Sequence, residues 1–272
     1  MASYKNIAIL GGGNIGISIA KGLQKSKLVD AKNIYVTRRN ISAIIDYKEK
    51  GFRVIANNKE AVENSEVIII AVQPQQVNEL IEDIKESLNP KKHIVVSVVS
   101  GASIKAIKER IEKDVQVIRA MPNTAISIQE SMTCISAESK NGSGLKAAEE
   151  IFNQLGKTLI IDEDLMIPAT ALAACGIAFF LRAIRAASQG GIEIGFHSEE
   201  ALLMASQTAK GAATLLLEGE EHPEKEVDKV TTPRGCTISG LNQMEHYGFS
   251  SAMIKGIVTS AEKCAKVYKA EE

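Results

Sequence analysis

At 272 residues, with 45% apolar, 24% charged and only 4% aromatic side chains, the chain has material for two domains. Its 32 basic and 33 acidic residues leave a net charge of −1, which excludes a phosphate-neutralising surface and with it nucleic acid as the main partner. Cys134, Cys175, Cys236 and Cys264 show no CxxC spacing and are too sparse for a disulfide framework, so they read as reduced thiols in a cytoplasmic protein.

The apolar run Ile7-Ala8-Ile9-Leu10 is a buried strand rather than a signal peptide, because three glycines follow it at once. Strand-like runs recur at residues 6–10, 33–37, 53–56, 67–72, 93–98, 115–119, 132–135 and 158–161. Helical patterns lie between them. Residues 75–88, for example, place Val77, Leu80, Ile81, Ile84 and Leu88 on one face. This alternation predicts an α/β fold, an N-terminal Rossmann-type domain with a mostly parallel sheet over residues 1–162.

Beyond Asp162 the strand signals stop. Helices are expected at 165–188, 198–217, 237–247 and 250–268, with a polar loop and one helical turn at 218–236. Residues 163–272 are therefore expected to form an all-helical domain. The longest uncharged stretch, 165–181, reads as a buried helix rather than a membrane span, since Pro168 and Gly176 interrupt it and no second candidate exists. Phe179, Phe180, Leu181 and Ile184 beside Ala171, Ala173, Ala174 and Gly176 suit an intertwined homodimer; a monomeric bundle is the plainer alternative.

The segment Gly11-Gly12-Gly13-Asn14-Ile15-Gly16 fits GxGxxG in the context that motif requires, directly after a strand and opening an apolar helix. Gly11 serves the tight turn, Gly13 the approach of a pyrophosphate and Gly16 the packing of helix on strand. The carboxylate expected of an NAD site is missing from the end of the second strand, where Thr37, Arg38, Arg39 and Asn40 stand. Two guanidiniums suit a 2′-phosphate, so NADPH is expected and NADH less favoured; the alternative is plain solvated charge. Gln73-Pro74 and Met121-Pro122-Asn123 follow strands at the sheet edge where such folds bind ligands, although structural turns explain the prolines equally well.

The order GGGNIG, AVQPQQV, IRAMPNTA and VTTPRGCTISGLNQMEHYGF resembles the pyrroline-5-carboxylate reductases over essentially the whole chain. The resemblance implies reduction of 1-pyrroline-5-carboxylate to L-proline, the last step of proline biosynthesis, by hydride transfer from NAD(P)H. It also implies dimers that often assemble into larger rings. Carried over by position, it puts cofactor contacts on the Gly11–Gly16 loop, Arg38, Asn58, Ala71, Val72, Gln73 and Pro74, with Arg39 adjoining. Met121, Pro122 and Asn123 fall beside the nicotinamide. Substrate contacts fall on Glu220, Thr231, Thr232, Pro233, Gly235, Cys236 and Thr237, with the Thr237 hydroxyl nearest the ring nitrogen. An ordinary helix N-cap is the alternative for Thr237.

Four departures from the family pattern stand out. Pro-Gly-Gly is Pro233-Arg234-Gly235, a loop threonine is Cys236, a lysine is Gln73, and Ser-Gly-Ser-Gly-Pro-Ala-Tyr is Ala173-Ala174-Cys175-Gly176-Ile177-Ala178-Phe179. They leave open a reductase of a related cyclic imine acid and a non-catalytic NADP-binding regulator. A β-hydroxyacid dehydrogenase fails for want of a helix lysine, since Arg182 and Arg185 do not deprotonate. No HExxH or Cys/His cluster suggests a metal.

Overall fold

The structure, a computed structural model, describes residues 4–266. Each of the eight apolar runs is a strand: β1 Ile7–Leu10, β2 Ile34–Thr37, β3 Arg53–Ile55, β4 Val67–Ile70, β5 Ile94–Ser97, β6 Gln116–Met121, β7 Ser131–Ala137 and β8 Gly156–Ile160. They form one sheet in the order β3-β2-β1-β4-β5-β6-β7-β8. Every neighbouring pair is parallel except β6 and β7, which run antiparallel with Met121 opposite Cys134. The register is continuous through the centre, Ile9 facing Val36 on one side and Ile69 on the other.

The helices are α1 Asn14–Ser26, α2 Asp46–Glu49, α3 Asn58–Glu63, α4 Val77–Ile84, α5 Ile104–Ile111, α6 Ser143–Asn153, α7 Met166–Ala169, α8 Gly176–Glu193, α9 Ser198–Glu218, α10 Pro223–Val230, α11 Cys236–His246 and α12 Phe249–Cys264. Strand side chains alternate between two cores. Ile7, Ile9 and Ile69 pack with Ile19 and Leu23 of α1 and Phe152 of α6. Leu10, Ile68 and Ile70 face the other way, onto Leu80 and Ile81 of α4 and Ile107 of α5. Both faces are covered, which is why the central strands read as unbroken apolar runs.

Several expectations need correcting. The helix expected at 75–88 is a 3₁₀ turn at Pro74–Gln76, then α4, then a second 3₁₀ turn at Lys85–Ser87. The helix expected at 165–188 runs further and contains a π-helical segment, Thr170–Cys175, between α7 and α8. The polar stretch holds the two-turn helix α10, opened by Pro223 at its first position with His222 Nδ1 accepting the Glu224 N–H. The helix expected at 250–268 is α12, and its last expected residues, 267 and 268, lie outside the described residues.

The described residues form two compact units: residues 4–175 together with 260–266, and residues 176–259. The division expected at 162/163 precedes this one because the first helical turns pack with the sheet. Met166 is fully buried there with Met121 and Cys134. Glu163 is tied in as well. Its Oε1 accepts from Arg119 Nη1 of β6 at 3.1 Å and from the Ile104 N–H that opens α5 at 2.7 Å. Arg119 is only 4% exposed, and its Nε and Nη2 have no partner among the described residues.

The turn before β5 buries His93, whose Nδ1 accepts the Asn89 N–H at 3.0 Å. Burial, aided by the neighbouring Lys92 charge, holds its pKa down to about 4. A lowered folded pKa means the unfolded chain binds the extra proton first. Stability from the neutral ring is thus complete above about 6.5, the unfolded value, and lost as pH falls toward 4. Over that window the wild type is expected to lose about 2–3 kcal/mol more than His93→Gln in urea unfolding. Parallel pH profiles for the two proteins would remove His93 as the cause.

Within the second unit, Gly191 lies so close to Ala201 that a Cβ there would sit 3.0 Å from the alanine's own. This close approach joins α8 to α9. Yet α9 buries only Ala201, and α10 to α12 bury nothing fully among the described residues. Leu203 is 71% and Leu217 78% exposed. The helical stretch Glu163–Glu193 contains an apolar window long enough to cross a membrane. Expected to be buried, it is largely uncovered in the single chain, Phe180 and Leu181 included, because one copy supplies no second layer.

Candidate cofactor and substrate site

A cleft of about 630 Å³ opens at the carboxyl edge of β1, β2 and β4. Gly11, Gly12 and Gly13 form its floor. The amides of Gly11 and Gly12 both donate to the Thr37 carbonyl, at 3.2 and 2.7 Å, fastening the glycine loop to the end of β2. Gly11 has φ +117°, and a Cβ there would land on the Ala71 carbonyl. A Cβ on Gly16 would land on the Gly11 carbonyl oxygen, which is how α1 packs so tightly on its strand. At Gly13 a Cβ would meet nothing within 4 Å. The protein itself has no steric need for glycine there, so the space is suited to a ligand. Gly13 also caps α1 without a side-chain bond, and no acidic residue follows in the first turn, leaving free N–H groups for an anion.

The end of β2 makes the next wall. Arg38 donates from Nη1 to the Gly12 carbonyl at 2.9 Å, and Arg39 forms an ion pair with Glu79 of α4. Thr37 Oγ1 donates to Asn58 Oδ1 at 2.6 Å, and Asn58 Nδ2 donates to Asp83 Oδ2 at 3.1 Å. Ala71, Val72 and Gln73 close the third side, with Gln73 and Gln76 in a reciprocal capping arrangement. Of the cofactor residues named from sequence, the cleft therefore gathers Gly11, Gly12, Gly13, Arg38, Arg39, Asn58, Ala71, Val72 and Gln73. Asn14, Ile15, Gly16 and Pro74 stand beside it without lining it. Missed were Ala56, just after β3, and Gln76, Glu79, Leu80 and Asp83, an i, i+3, i+4, i+7 series that starts in the 3₁₀ turn and continues along α4.

Met121, Pro122 and Asn123 are buried at the end of β6 and do not line the cleft. Asn123 accepts the Ala125 N–H on Oδ1 and donates from Nδ2 to the Ala173 carbonyl at 3.2 Å. That carbonyl lies in the π-helical segment, where the widened turn changes the backbone bonding. Ser100, after β5, donates to Met121 Sδ at 4.0 Å.

The loop expected to hold substrate lies in the helical unit. Gly235 N donates to the Thr232 carbonyl at 2.8 Å and caps α11, so Thr237 is the second helical residue, not its N-cap. A Cβ on Gly235 would sit 2.5 Å from Thr232 Oγ1. Arg234 is left-handed, with φ 63°, at a position suited to glycine. Thr231 Oγ1 bonds the Asp228 carbonyl at 3.2 Å. Cys236 and Thr237 are exposed, no acid occupies the first turn of α11, and Glu220 stands exposed between α9 and α10. Among the described residues no group of three or more His, Cys, Asp or Glu side chains is placed to hold a metal.

Residues 163–267 match the family model for pyrroline-5-carboxylate reductase dimerisation, and residues 6–101 match that of coenzyme F420-dependent NADP oxidoreductases. The chain is 53% identical to pyrroline-5-carboxylate reductase 1 of Dictyostelium discoideum over 98% of its own length, and spans about half (51%) of that relative's length. It is 49% identical to pyrroline-5-carboxylate reductase 2 of the same organism, covering 98% of this chain and 94% of that one. In fold it is similar to the NADP-bound crystal structure of Plasmodium falciparum pyrroline carboxylate reductase, with a TM-score of 0.89, 22% identity and coverage of 99% and 100%.

Proposed function

The chain belongs to the pyrroline-5-carboxylate reductase family, and from that membership we propose that it reduces 1-pyrroline-5-carboxylate to L-proline with NADPH. Near full-length identity to the second Dictyostelium reductase is the observation that carries this reading. The cleft fits the cofactor by its own geometry: an open Gly13, an unopposed α1 N-terminus for pyrophosphate, and two guanidiniums without a β2 carboxylate. When bound, NADPH supplies the hydride that reaches the C=N carbon.

The chain's own part is positioning and charge. The N–H groups of Cys236 and Thr237 at the start of α11 hold the substrate carboxylate, with Glu220, Thr231, Thr232, Pro233 and Gly235 shaping the loop. The Thr237 hydroxyl, freed from capping, accepts from the protonated ring nitrogen or orients a water that does, and can donate to the lone pair that nitrogen gains once hydride has added. Met121, Pro122 and Asn123 keep the edge next to the ring rigid. A protonated imine accepts hydride readily, so the site requires no strong acid side chain.

The uncovered helical faces take a second copy of the chain as a homodimer, and such dimers join in a larger ring. Cytoplasmic placement accords with four free cysteines, the near-zero net charge argues against nucleic acid as a partner, and the apolar stretch 165–181 is read as a dimer-facing helix rather than a membrane span. Ala173 and Phe179, which lack the family's hydroxyls, favour a second reading in which the six-membered imine acid is also accepted.

Nicotinamide absorbance with the five- and six-membered substrates, run with NADPH and NADH, tests the assignment. Turnover is expected with the five-membered ring and NADPH. Arg38→Asp with Arg39→Ala should shift the cofactor ratio toward NADH by about tenfold or more. Tight NADPH binding with no imine reduction would leave a regulator instead.

A further inference from the structure

Resting on the reading of the cleft as an NADPH site, we infer that Glu79 tunes the choice between NADPH and NADH by holding Arg39. The two cations of the β2 end are not equivalent. Arg38 is bonded to a neutral backbone carbonyl, whereas Arg39 is paired with a full carboxylate across the cleft. Both members of that pair line the same cavity. The other acid on this wall, Asp83, is differently placed, because Asn58 Nδ2 and Lys59 Nζ (3.4 Å) already engage it. Glu79 is thus the carboxylate whose partner a 2′-phosphate must capture.

A dianionic phosphate competes with Glu79 for Arg39, whose Nη2 the carboxylate already engages, so part of its attraction is offset by an existing pair. A ribose hydroxyl carries no charge and makes no such demand. Glu79 thereby narrows the NADPH advantage that two arginines would otherwise give, acting through Arg39 as a positioning residue. The pair is exposed (71% and 72%), so the effect is electrostatic and weakens with salt.

Titration calorimetry of the full chain with NADPH and with NADH, at low and high salt, tests this. Glu79→Gln is expected to tighten NADPH about three- to tenfold at low ionic strength and less at high, leaving NADH within about twofold. In an Arg39→Ala background the same substitution is expected to give no gain. Glu82→Gln is the control, since Glu82 pairs with Lys85 and Arg110 and does not line the cleft. Equal changes with both cofactors, no change with NADPH, or a selective loss of NADH would each overturn the inference. The last would make Glu79 a ribose acceptor. Absence of NADPH binding by the wild type would instead overturn the cofactor reading itself.

Discussion

Gly13→Ala is expected to cost the cofactor-free protein no more than about 1 kcal/mol while weakening NADPH binding about ten- to a hundredfold. The added methyl meets no protein atom within 4 Å, so the cost without ligand is confined to the poorer capping of alanine, about 1 kcal/mol. The same methyl occupies the space in front of the free α1 amides. Gly11→Ala and Gly16→Ala behave differently, because their methyls land on the Ala71 and Gly11 carbonyls. Each is expected to lose about 2–4 kcal/mol of stability with or without ligand. Thermal unfolding of the three variants, paired with NADPH titration, separates the roles. A Gly13→Ala protein that binds NADPH normally would show that nothing approaches the backbone there.

Glu163→Ala is expected to destabilise the fold by about 3–5 kcal/mol. Two donors lose their acceptor at once: the buried guanidinium of Arg119 and the first amide of α5. Two of the guanidinium's nitrogens already lack partners, so removal of Glu163 leaves an uncompensated charge at 4% exposure. Arg119→Met, which replaces the charge by an apolar chain, is expected to lose far less. The double variant should recover much of the Glu163→Ala loss. Urea unfolding of the cycle measures this, and simple additivity of the two losses would contradict it.

All eight strands and their order along the chain could be read from apolar runs, because a doubly covered sheet makes those runs continuous. Strand direction is harder to read from the same pattern. The short link from Met121 to Ser131 was nonetheless a usable sign of the antiparallel pair, since a parallel crossover requires a longer connection. The π-helical segment had no signal, for a widened turn changes backbone bonding without changing which residues are apolar. In the cleft the glycines and arginines were legible because their chemistry is local to a strand end. Glu79 and Asp83 carried no such signal, because solvent-facing acids on a helix ordinarily mean solubility. What joins Asn123 to Ala173, far apart in the chain, was beyond any spacing rule.

Arg234 adds a different kind of consequence. With φ 63°, its Cβ costs about 1–2 kcal/mol relative to glycine at the same backbone. Every arginine codon is a single base change from a glycine codon, so random mutation keeps offering this loop an easier residue. Glycine would relieve the strain and also loosen the turn between Pro233 and Gly235, since it frees dihedrals in the unfolded and folded chain alike. Position 234 therefore sits on a mutational slope along which stability and loop stiffness trade against each other. Which of the two a lineage keeps can be read from the residue it carries there.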